Sequence, residues 1–153
     1  MRLFFHVTIV SVIAMVCRKA QLKVYIAGPV HGMENHQHYR QKLKQVLASK
    51  GFNPVDPLER QRPNPSSVTG RNFSPKEIIN SDLNCLKQCD LLVAFLPTIS
   101  AGTCMELFYG KLMNKETVVI TPMDDLSPWI IGHADHIFRT FEDFEKWLNS
   151  KSN

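Results

Sequence analysis

Apolar runs and helical repeats alternate along this chain. The longest run, Leu91–Leu96, shows no polar alternation, which is typical of a strand buried on both faces within a parallel sheet. Shorter runs predict further strands at Lys23–Ala27, Phe52–Val55, Thr117–Ile120 and Ile137–Phe138. The intervening pattern predicts helices at His38–Lys50, from Ser74 to about Gln88, after Thr103, from Ser127, and at Phe141–Leu148. This alternation predicts an α/β fold, a doubly wound parallel sheet of five strands with helices on both faces.

Turn and cap residues place several of the predicted element ends. Gly51 follows the first helix in the position that often takes a left-handed conformation. Ser74, Pro75 and Glu77 form the pattern of a helix start with a capping box. The stretch Asp56–Asn72 is rich in Pro, Arg, Asn and Ser without apolar periodicity, so we expect a long surface loop there.

Asp82 lies in the helix predicted after Ser74, at the border of its apolar stripe. We take that stripe to consist of Ile78, Ile79, Leu83 and Leu86. A carboxylate beside a buried face needs a partner or a function, because burying it alone is costly. An acid at the edge of the stripe that simply reaches water is an equally good interpretation.

Length and charge limit the possible classes of protein. With 153 residues, 44% of them apolar, the chain fits one domain, which we place at residues 22–150. The net charge of +4 is too small to favour a nucleic-acid polymer as partner. Its four cysteines lack zinc-site spacing, which favours reduced thiols in a cytoplasmic protein.

Residues 1–21 leave that cellular location open. Leu3–Cys17 is largely apolar and follows Arg2, as in a short secretory leader, but no small-residue cleavage pattern follows it. The segment is short for a membrane span. A disposable leader, or a misassigned start with Met15 as the true first residue, is as well supported as a hydrophobic anchor or an extra element.

The end of the Leu91–Leu96 run carries the strongest candidate chemistry. Ser100, Gly102 and Thr103 follow the strand and open a helix whose first turn is predicted to hold Glu106. Ligands bind beyond the carboxyl ends of strands in such sheets, and helix N-termini bind anions such as phosphate. Thr103 and Glu106 also match a capping box, in which the glutamate would only bond the backbone.

The alternative to capping is that Glu106 acts chemically. An ionised carboxylate in this crevice can attack an electrophilic carbon, and Asp82 would supply a second carboxyl group. One nucleophile and one proton donor are what breaking a glycosidic bond through a covalent intermediate requires. From the residues alone, both interpretations of Glu106 stay open.

Three segments together resemble the nucleoside 2-deoxyribosyltransferase family, which includes N-glycosidases of nucleoside 5′-monophosphates. They are KVYIAGP (Lys23–Pro29), SDLNCLKQCDLLVAFL (Ser81–Leu96) and SAGTCMELFYGKL (Ser100–Leu112). The resemblance implies a flavodoxin-like fold and a reaction without a cofactor. It also implies roles for three residues: Glu106 attacks the anomeric carbon, Asp82 is associated with protonation of the base, and Tyr25 helps to position Glu106.

One position departs from the family members that act on unphosphorylated nucleosides. Those carry an aspartate six residues before the catalytic glutamate, where this chain has Ser100. A carboxylate would repel a 5′-phosphate, whereas a serine hydroxyl would bind one. The resemblance also implies substrate contacts in the first loop, at Gly28, His31 and Gly32. At the position of His31, family members more usually have an arginine. These residues favour a hydrolase of (deoxy)nucleoside 5′-monophosphates.

Other functions remain as alternatives. A deoxyribosyltransferase would pass the sugar to a second base, and a nucleotide sensor would bind without chemistry. A metal site at His133, Asp135 and His136 is a weaker option, and no metal is expected for the family's reaction. The resemblance further implies a homo-oligomer, with a neighbour contributing a segment that falls loosely on Asp135–His136.

Overall fold

The chain forms a single parallel sheet. In the computed structural model, which describes residues 21–61 and 74–151, the strands are β1 (Lys23–Ala27), β2 (Asn53–Val55), β3 (Leu91–Phe95), β4 (Glu116–Ile120) and β5 (His136–Phe138). The helices are α1 (His38–Ser49), α2 (Pro57–Gln61), α3 (Pro75–Lys87), α4 (Ala101–Leu112), α5 (Pro128–His133) and α6 (Phe141–Lys151). The strand order is β2-β1-β3-β4-β5, which places the apolar run of β3 at the centre.

Each face of the sheet has its own buried core, because alternate side chains of a strand point to opposite faces. On one face, Val24 and Ile26 of β1 and Val93 of β3 pack with α1 and α6. On the other, Tyr25 and Ala27 pack with residues of α3, α4 and α5. The predicted doubly wound α/β fold is therefore confirmed.

Two local predictions are wrong. Within the expected loop Asp56–Asn72, residues Pro57–Gln61 form α2, and the rest of that stretch lies outside the described residues. The start of α2 has a clear cause: Asp56 Oδ1 accepts from the N–H of Leu58, and Pro57 occupies the first helical position. The second wrong prediction places Ile79 in the buried stripe of α3. Ile79 is 56% exposed, because the face of α3 toward the sheet carries Cys85, Leu86 and the partly buried Ile78 instead.

The predicted helix starts at Ser74 and Ser127 are confirmed. Ser74 and Glu77 form the reciprocal capping box, and the Ser127 hydroxyl accepts from the N–H of Trp129. Gly51 has a φ of 82° after α1, as its C′ position requires. In the described ranges, no helix is both long and apolar enough to cross a bilayer. The predictions for residues 1–21 concern a segment that, except for its last residue, lies outside these ranges.

Candidate active site

The strand order predicts a ligand crevice between the chain segments that follow β1 and β3. The connection from β1 leads to β2 on one side, and the connection that follows β2 returns to β3 on the other side of β1. Where the order reverses in this way, the two loops separate beyond the carboxyl ends of the strands and leave room for a ligand. The predicted site residues lie in β1, in α3, and in the loops and helix at this edge.

Tyr25 and Glu106 are joined across the crevice by a short hydrogen bond. The Tyr25 hydroxyl donates to Glu106 Oε1 at 2.6 Å, from a strand position where the tyrosine is fully buried. Burial raises the pKa of Tyr25, and the Glu106 charge raises it further, so the phenol stays a neutral donor. The bond fixes one carboxylate oxygen of Glu106, whose side chain is partly buried.

Asp82 acts electrostatically on this pair. The pKa of Glu106 is raised to about 7, mainly by burial. The Asp82 charge adds to this rise, whereas the hydrogen bond from Tyr25 and the Arg40 charge oppose it. Asp82 itself is partly buried on α3. The structure therefore brings Tyr25, Asp82 and Glu106 into one electrostatic unit, with Glu106 poised to change protonation near neutral pH.

The N-terminus of α4 is capped by Ser100, so the capping alternative for Glu106 is wrong. Ser100 Oγ accepts from the N–H of Thr103 at 3.4 Å and from its hydroxyl at 3.1 Å. Glu106 is the sixth residue of α4 and lies in the second turn, not the first turn that the sequence suggested. Its carboxylate cannot close a capping box from there, because that role belongs to the third helical residue.

Gly102 and Thr103 contribute to this N-terminus in different ways. Thr103 is buried and supports Ser100, whereas Gly102 is exposed. A Cβ placed on Gly102 would meet no atom within 4 Å. The N–H groups of Ala101 and Gly102 have no intrahelical acceptor, as at any helix start. Such N–H groups at a helix N-terminus are the kind that bind anions.

The first loop holds the other predicted binding residues, Gly28, His31 and Gly32. A Cβ on Gly28 would lie 2.3 Å from the Tyr39 hydroxyl, so close packing explains this glycine. Gly32 has a φ of 79°, and its N–H donates to a carboxylate oxygen of Glu34 at 3.0 Å. The His31 side chain is fully exposed.

Arg40 is a residue of this region that the sequence analysis missed. It is only 4% exposed, and its guanidinium pairs with Asp56 Oδ1 at 2.9 Å beneath the first loop. Its charge lowers the pKa of Glu106, so it favours the ionised form. A signal was present, because Arg40 occupies the buried face of α1 with Leu43 and Leu47 at helical spacing.

His133, Asp135 and His136 do not gather around a common point. His133 Nδ1 lies 2.6 Å from the carbonyl of Trp129, and His136 Nε2 lies 3.0 Å from Glu116 Oε1. Asp135 pairs with Lys111 and accepts from the N–H and hydroxyl of Thr117. Among residues 21–61 and 74–151, no group of three or more potential ligands could hold a metal ion.

Comparison with known proteins identifies the family of this chain. The sequence model described as nucleoside 2-deoxyribosyltransferase matches residues 24–150. The chain belongs to the nucleoside 2-deoxyribosyltransferase family. This membership confirms the resemblance seen in the sequence and the prediction of an enzyme of the N-glycosidase or deoxyribosyltransferase type.

Individual proteins give a more detailed comparison. The chain is 26% identical over 121 residues to a candidate 2′-deoxynucleoside 5′-phosphate N-hydrolase of Thermofilum pendens, covering 77% of this chain and 82% of that one. A 2-deoxyribosyltransferase of Bacillus psychrosaccharolyticus has a similar structure, with a TM-score of 0.66 at 24% identity over 80% and 90% of the two chains. The CMP N-glycosidase of Clostridium botulinum gives 0.56 at 20% identity over 83% and 98%. The two structural matches support the flavodoxin-like fold.

Proposed function

We propose that this family member cleaves the N-glycosidic bond of (deoxy)nucleoside 5′-monophosphates and releases the free base and a sugar phosphate. The observation that carries the proposal is the 2.6 Å bond from Tyr25 to Glu106, which holds a carboxylate on a helix without an acidic residue in its first turn. A carboxylate held in this way suits nucleophilic attack, and the N-terminus suits an anionic substrate.

The proposed reaction has two steps. The free oxygen of ionised Glu106 attacks the anomeric carbon, the C–N bond breaks, and its electrons leave with the base. With Glu106 ionised, Asp82 holds the proton that the two coupled carboxyl groups share, and it gives that proton to the base. A water molecule then attacks the anomeric carbon of the glycosyl ester, Asp82 takes up a proton from it, and the Glu106 carboxylate is released.

The helix geometry supports a substrate of nucleotide size. Glu106 lies six positions after Ser100, which corresponds to a rise of about 9 Å along α4. Helical side chains tilt toward the N-terminus, so the carboxylate lies closer to Ser100 than its Cα does. A sugar can therefore meet Glu106 while its 5′-phosphate accepts hydrogen bonds from the Ser100 hydroxyl and the N–H of Gly102. The Thermofilum pendens relative, whose name gives a 5′-phosphorylated substrate, also supports this proposal.

The decisive experiment measures base release by chromatography. A panel of ribo- and deoxyribonucleoside 5′-monophosphates is incubated beside the unphosphorylated nucleosides, each with and without a second free base. We expect release from monophosphates without an acceptor, and no release by Glu106→Gln. Strict dependence on an acceptor base, with a preference for unphosphorylated nucleosides, would instead identify a deoxyribosyltransferase. That second candidate is supported by the similar structure of the Bacillus psychrosaccharolyticus transferase.

The role of Ser100 can be tested without disturbing α4. Aspartate is as good an N-cap as serine, so Ser100→Asp keeps the helix start and adds a negative charge. We expect kcat/KM for a monophosphate to fall about a hundredfold, because like charges brought together cost several kcal/mol. Hydrolysis of the unphosphorylated nucleoside should change little. Ser127→Asp, at the N-cap of α5, is the matched control and should leave both rates unchanged.

We also infer a homo-oligomer. Exposed apolar side chains cover neighbouring parts of α4 and α5, including Met105 at 70%, Leu112 at 63% and Trp129 at 69% exposed. Between these helices runs an apolar groove of about 260 Å³. Patches of this kind mark protein interfaces, and this one lies on the helix that carries Glu106. Light scattering should give a multiple of 17.5 kDa for the wild type, and Met105→Glu with Trp129→Glu should give a smaller species.

A further inference from the structure

The first loop, Gly28–His36, is held from behind by side chains of the helix that follows it. Arg40 donates to the carbonyls of Ile26 at 3.2 Å and Gly28 at 2.9 Å. Gln37 donates from one amide nitrogen to the carbonyls of Pro29 at 3.0 Å and Met33 at 2.8 Å. Three carbonyls of this segment and one near the end of β1 are therefore bound by side chains at the start of α1.

Gln37 and Arg40 also fix each other. Arg40 Nε donates to Gln37 Oε1 at 2.8 Å. Because arginine can only donate and a carbonyl can only accept, these partners leave one possible orientation for the Gln37 amide. Gln37 is the N-cap residue of α1, yet its side chain makes no capping bond to that helix. The amide thus serves the loop instead of its own helix.

Carbonyls that are hydrogen-bonded toward α1 leave the N–H groups that follow them pointing away from α1. In a trans peptide, the carbonyl of one residue and the N–H of the next point in opposite directions, and the described residues contain no cis bond. With the Pro29 carbonyl bound by Gln37 and by the Tyr39 hydroxyl, the N–H of Val30 is turned away from α1. The N–H of Gly32 already binds a carboxylate oxygen of Glu34, so this surface accepts a negative charge.

We propose that Gln37 and Arg40 are positioning residues that hold the first loop in the shape that binds the phosphate of a nucleoside 5′-monophosphate. The inference rests on the proposed function for the identity of the substrate. Neither residue touches the substrate. Arg40 is buried, and all its hydrogen bonds described above go to the protein.

Gln37→Glu is the most informative variant. A glutamate still accepts from Arg40 Nε but cannot donate to Pro29 or Met33, so two loop bonds are lost while the side-chain shape is kept. Gln41→Glu is the matched control, because it makes the same change on the exposed face of the same helix. Arg40 is left intact, since its removal would leave the buried Asp56 without its partner and could unfold the chain.

Binding is measured by calorimetry in the Glu106→Ala background, which prevents turnover, with a deoxynucleoside 5′-monophosphate, its nucleoside and inorganic phosphate. We expect Gln37→Glu to weaken monophosphate and phosphate binding about tenfold and to leave nucleoside binding unchanged, with no effect of Gln41→Glu. In otherwise wild-type enzyme, KM for the monophosphate should rise while kcat stays within about twofold.

Two results would overturn the inference: equal affinities for the two glutamate variants, or an equal loss for the nucleoside and the monophosphate. Absence of monophosphate binding by the Glu106→Ala parent would overturn it too. The proposed function is judged separately, by base release from the wild type. Binding that depends on Gln37 in a protein that releases no base would keep the inference and reject the hydrolase.

Discussion

The two edges of the sheet hold carboxylates in opposite electrostatic settings. At the amino-terminal edge, Asp135 pairs with Lys111, and Glu116 pairs with Lys151 and His136. Hydrogen bonds from Lys111 and Thr117 outweigh the effect of burial and lower the pKa of Asp135. At the carboxyl edge, burial and the nearby Asp82 charge raise the pKa of Glu106 to about 7, although its hydrogen bond from the Tyr25 phenol opposes the rise.

The contrast distinguishes acids whose setting suits a structural role from those whose setting suits chemistry. A carboxylate that is bound to cations is stabilised as an anion and has little tendency to form a bond. A carboxylate that is buried beside another carboxylate keeps its basicity and changes protonation near the pH at which enzymes act. Among the described residues, this setting lies at the carboxyl edge, beside the loops that follow β1 and β3.

The largest expected effect tests whether Glu106 is the nucleophile. Glu106→Gln keeps the shape but removes the attacking carboxylate, so kcat should fall about a thousandfold or more. Glu116→Gln makes the same change at the amino-terminal edge, and its kcat should stay within about twofold of the wild-type value. Initial rates of base release measure both. Comparable losses for the two variants would remove the distinction between the edges.

Substitutions of Tyr25 and Asp82 should move the pH profile of kcat/KM in opposite directions. The hydrogen bond from Tyr25 lowers the pKa of Glu106, and the Asp82 charge raises it. The acidic limb of kcat/KM, near pH 7 in the wild type, should therefore move to higher pH in Tyr25→Phe and to lower pH in Asp82→Asn. Shifts in the same direction would show that the limb reports another group.

The contribution of Glu106 to stability should depend on pH in the opposite sense to that of Asp135 at the other edge. Folded Glu106 keeps its proton up to about pH 7, whereas an unfolded glutamate loses it near 4.5, so the wild type loses stability as pH rises between these values. Glu106→Gln should therefore be more stable than the wild type at pH 8, by about 1–3 kcal/mol, and equal to it near pH 4.

Asp135→Asn should have the reverse effect. The lowered pKa of Asp135 contributes stability above the unfolded value of 3.8, and this contribution is lost as pH falls through the folded value. The variant should lose about 1 kcal/mol at pH 7, and the difference should shrink in acid. Urea denaturation at several pH values measures both variants. A stabilised Asp135→Asn would refute a structural role for this acid.

The smallest effect concerns Glu34, an exposed acid at the carboxyl edge. Its carboxylate accepts from the N–H of Gly32 and would compete with a substrate phosphate for that group. Glu34→Gln should lower KM for a monophosphate about two- to threefold, since an exposed charge is well screened. Glu142→Gln, on the exposed start of α6, should not change KM. A higher KM for Glu34→Gln would mean that the Gly32 N–H does not meet the phosphate.

Much of the fold could be predicted from local patterns. The run at β3 has no polar alternation because the strand is covered on both faces, and β1 was predicted with its observed ends. Serine before proline marked two helix starts by simple capping chemistry. The short helix α2 was missed because its signals, Asp56 and Pro57, stood in a stretch without apolar periodicity.

The candidate site was predicted less completely. Residues next to a strand end, such as Ser100, could be found from spacing, but the network around Arg40 could not. Arg40 lies 16 positions from Asp56 and 14 from Ile26, and no local rule relates those positions. Likewise, Asp82 could equally have faced water, because helical periodicity gives a direction without saying which charge lies opposite.

By itself, the sequence determined the alternation of strands and helices, the family, and the residues Tyr25, Asp82 and Glu106 as candidates for chemistry. These follow from periodicity and from short motifs, which are properties of neighbours along the chain. Only the tertiary structure decided that Glu106 bonds to Tyr25, 81 positions away, while Asp135 is neutralised by Lys111. The pKa of a carboxylate depends on burial and on nearby charges, and both are set by packing between distant segments.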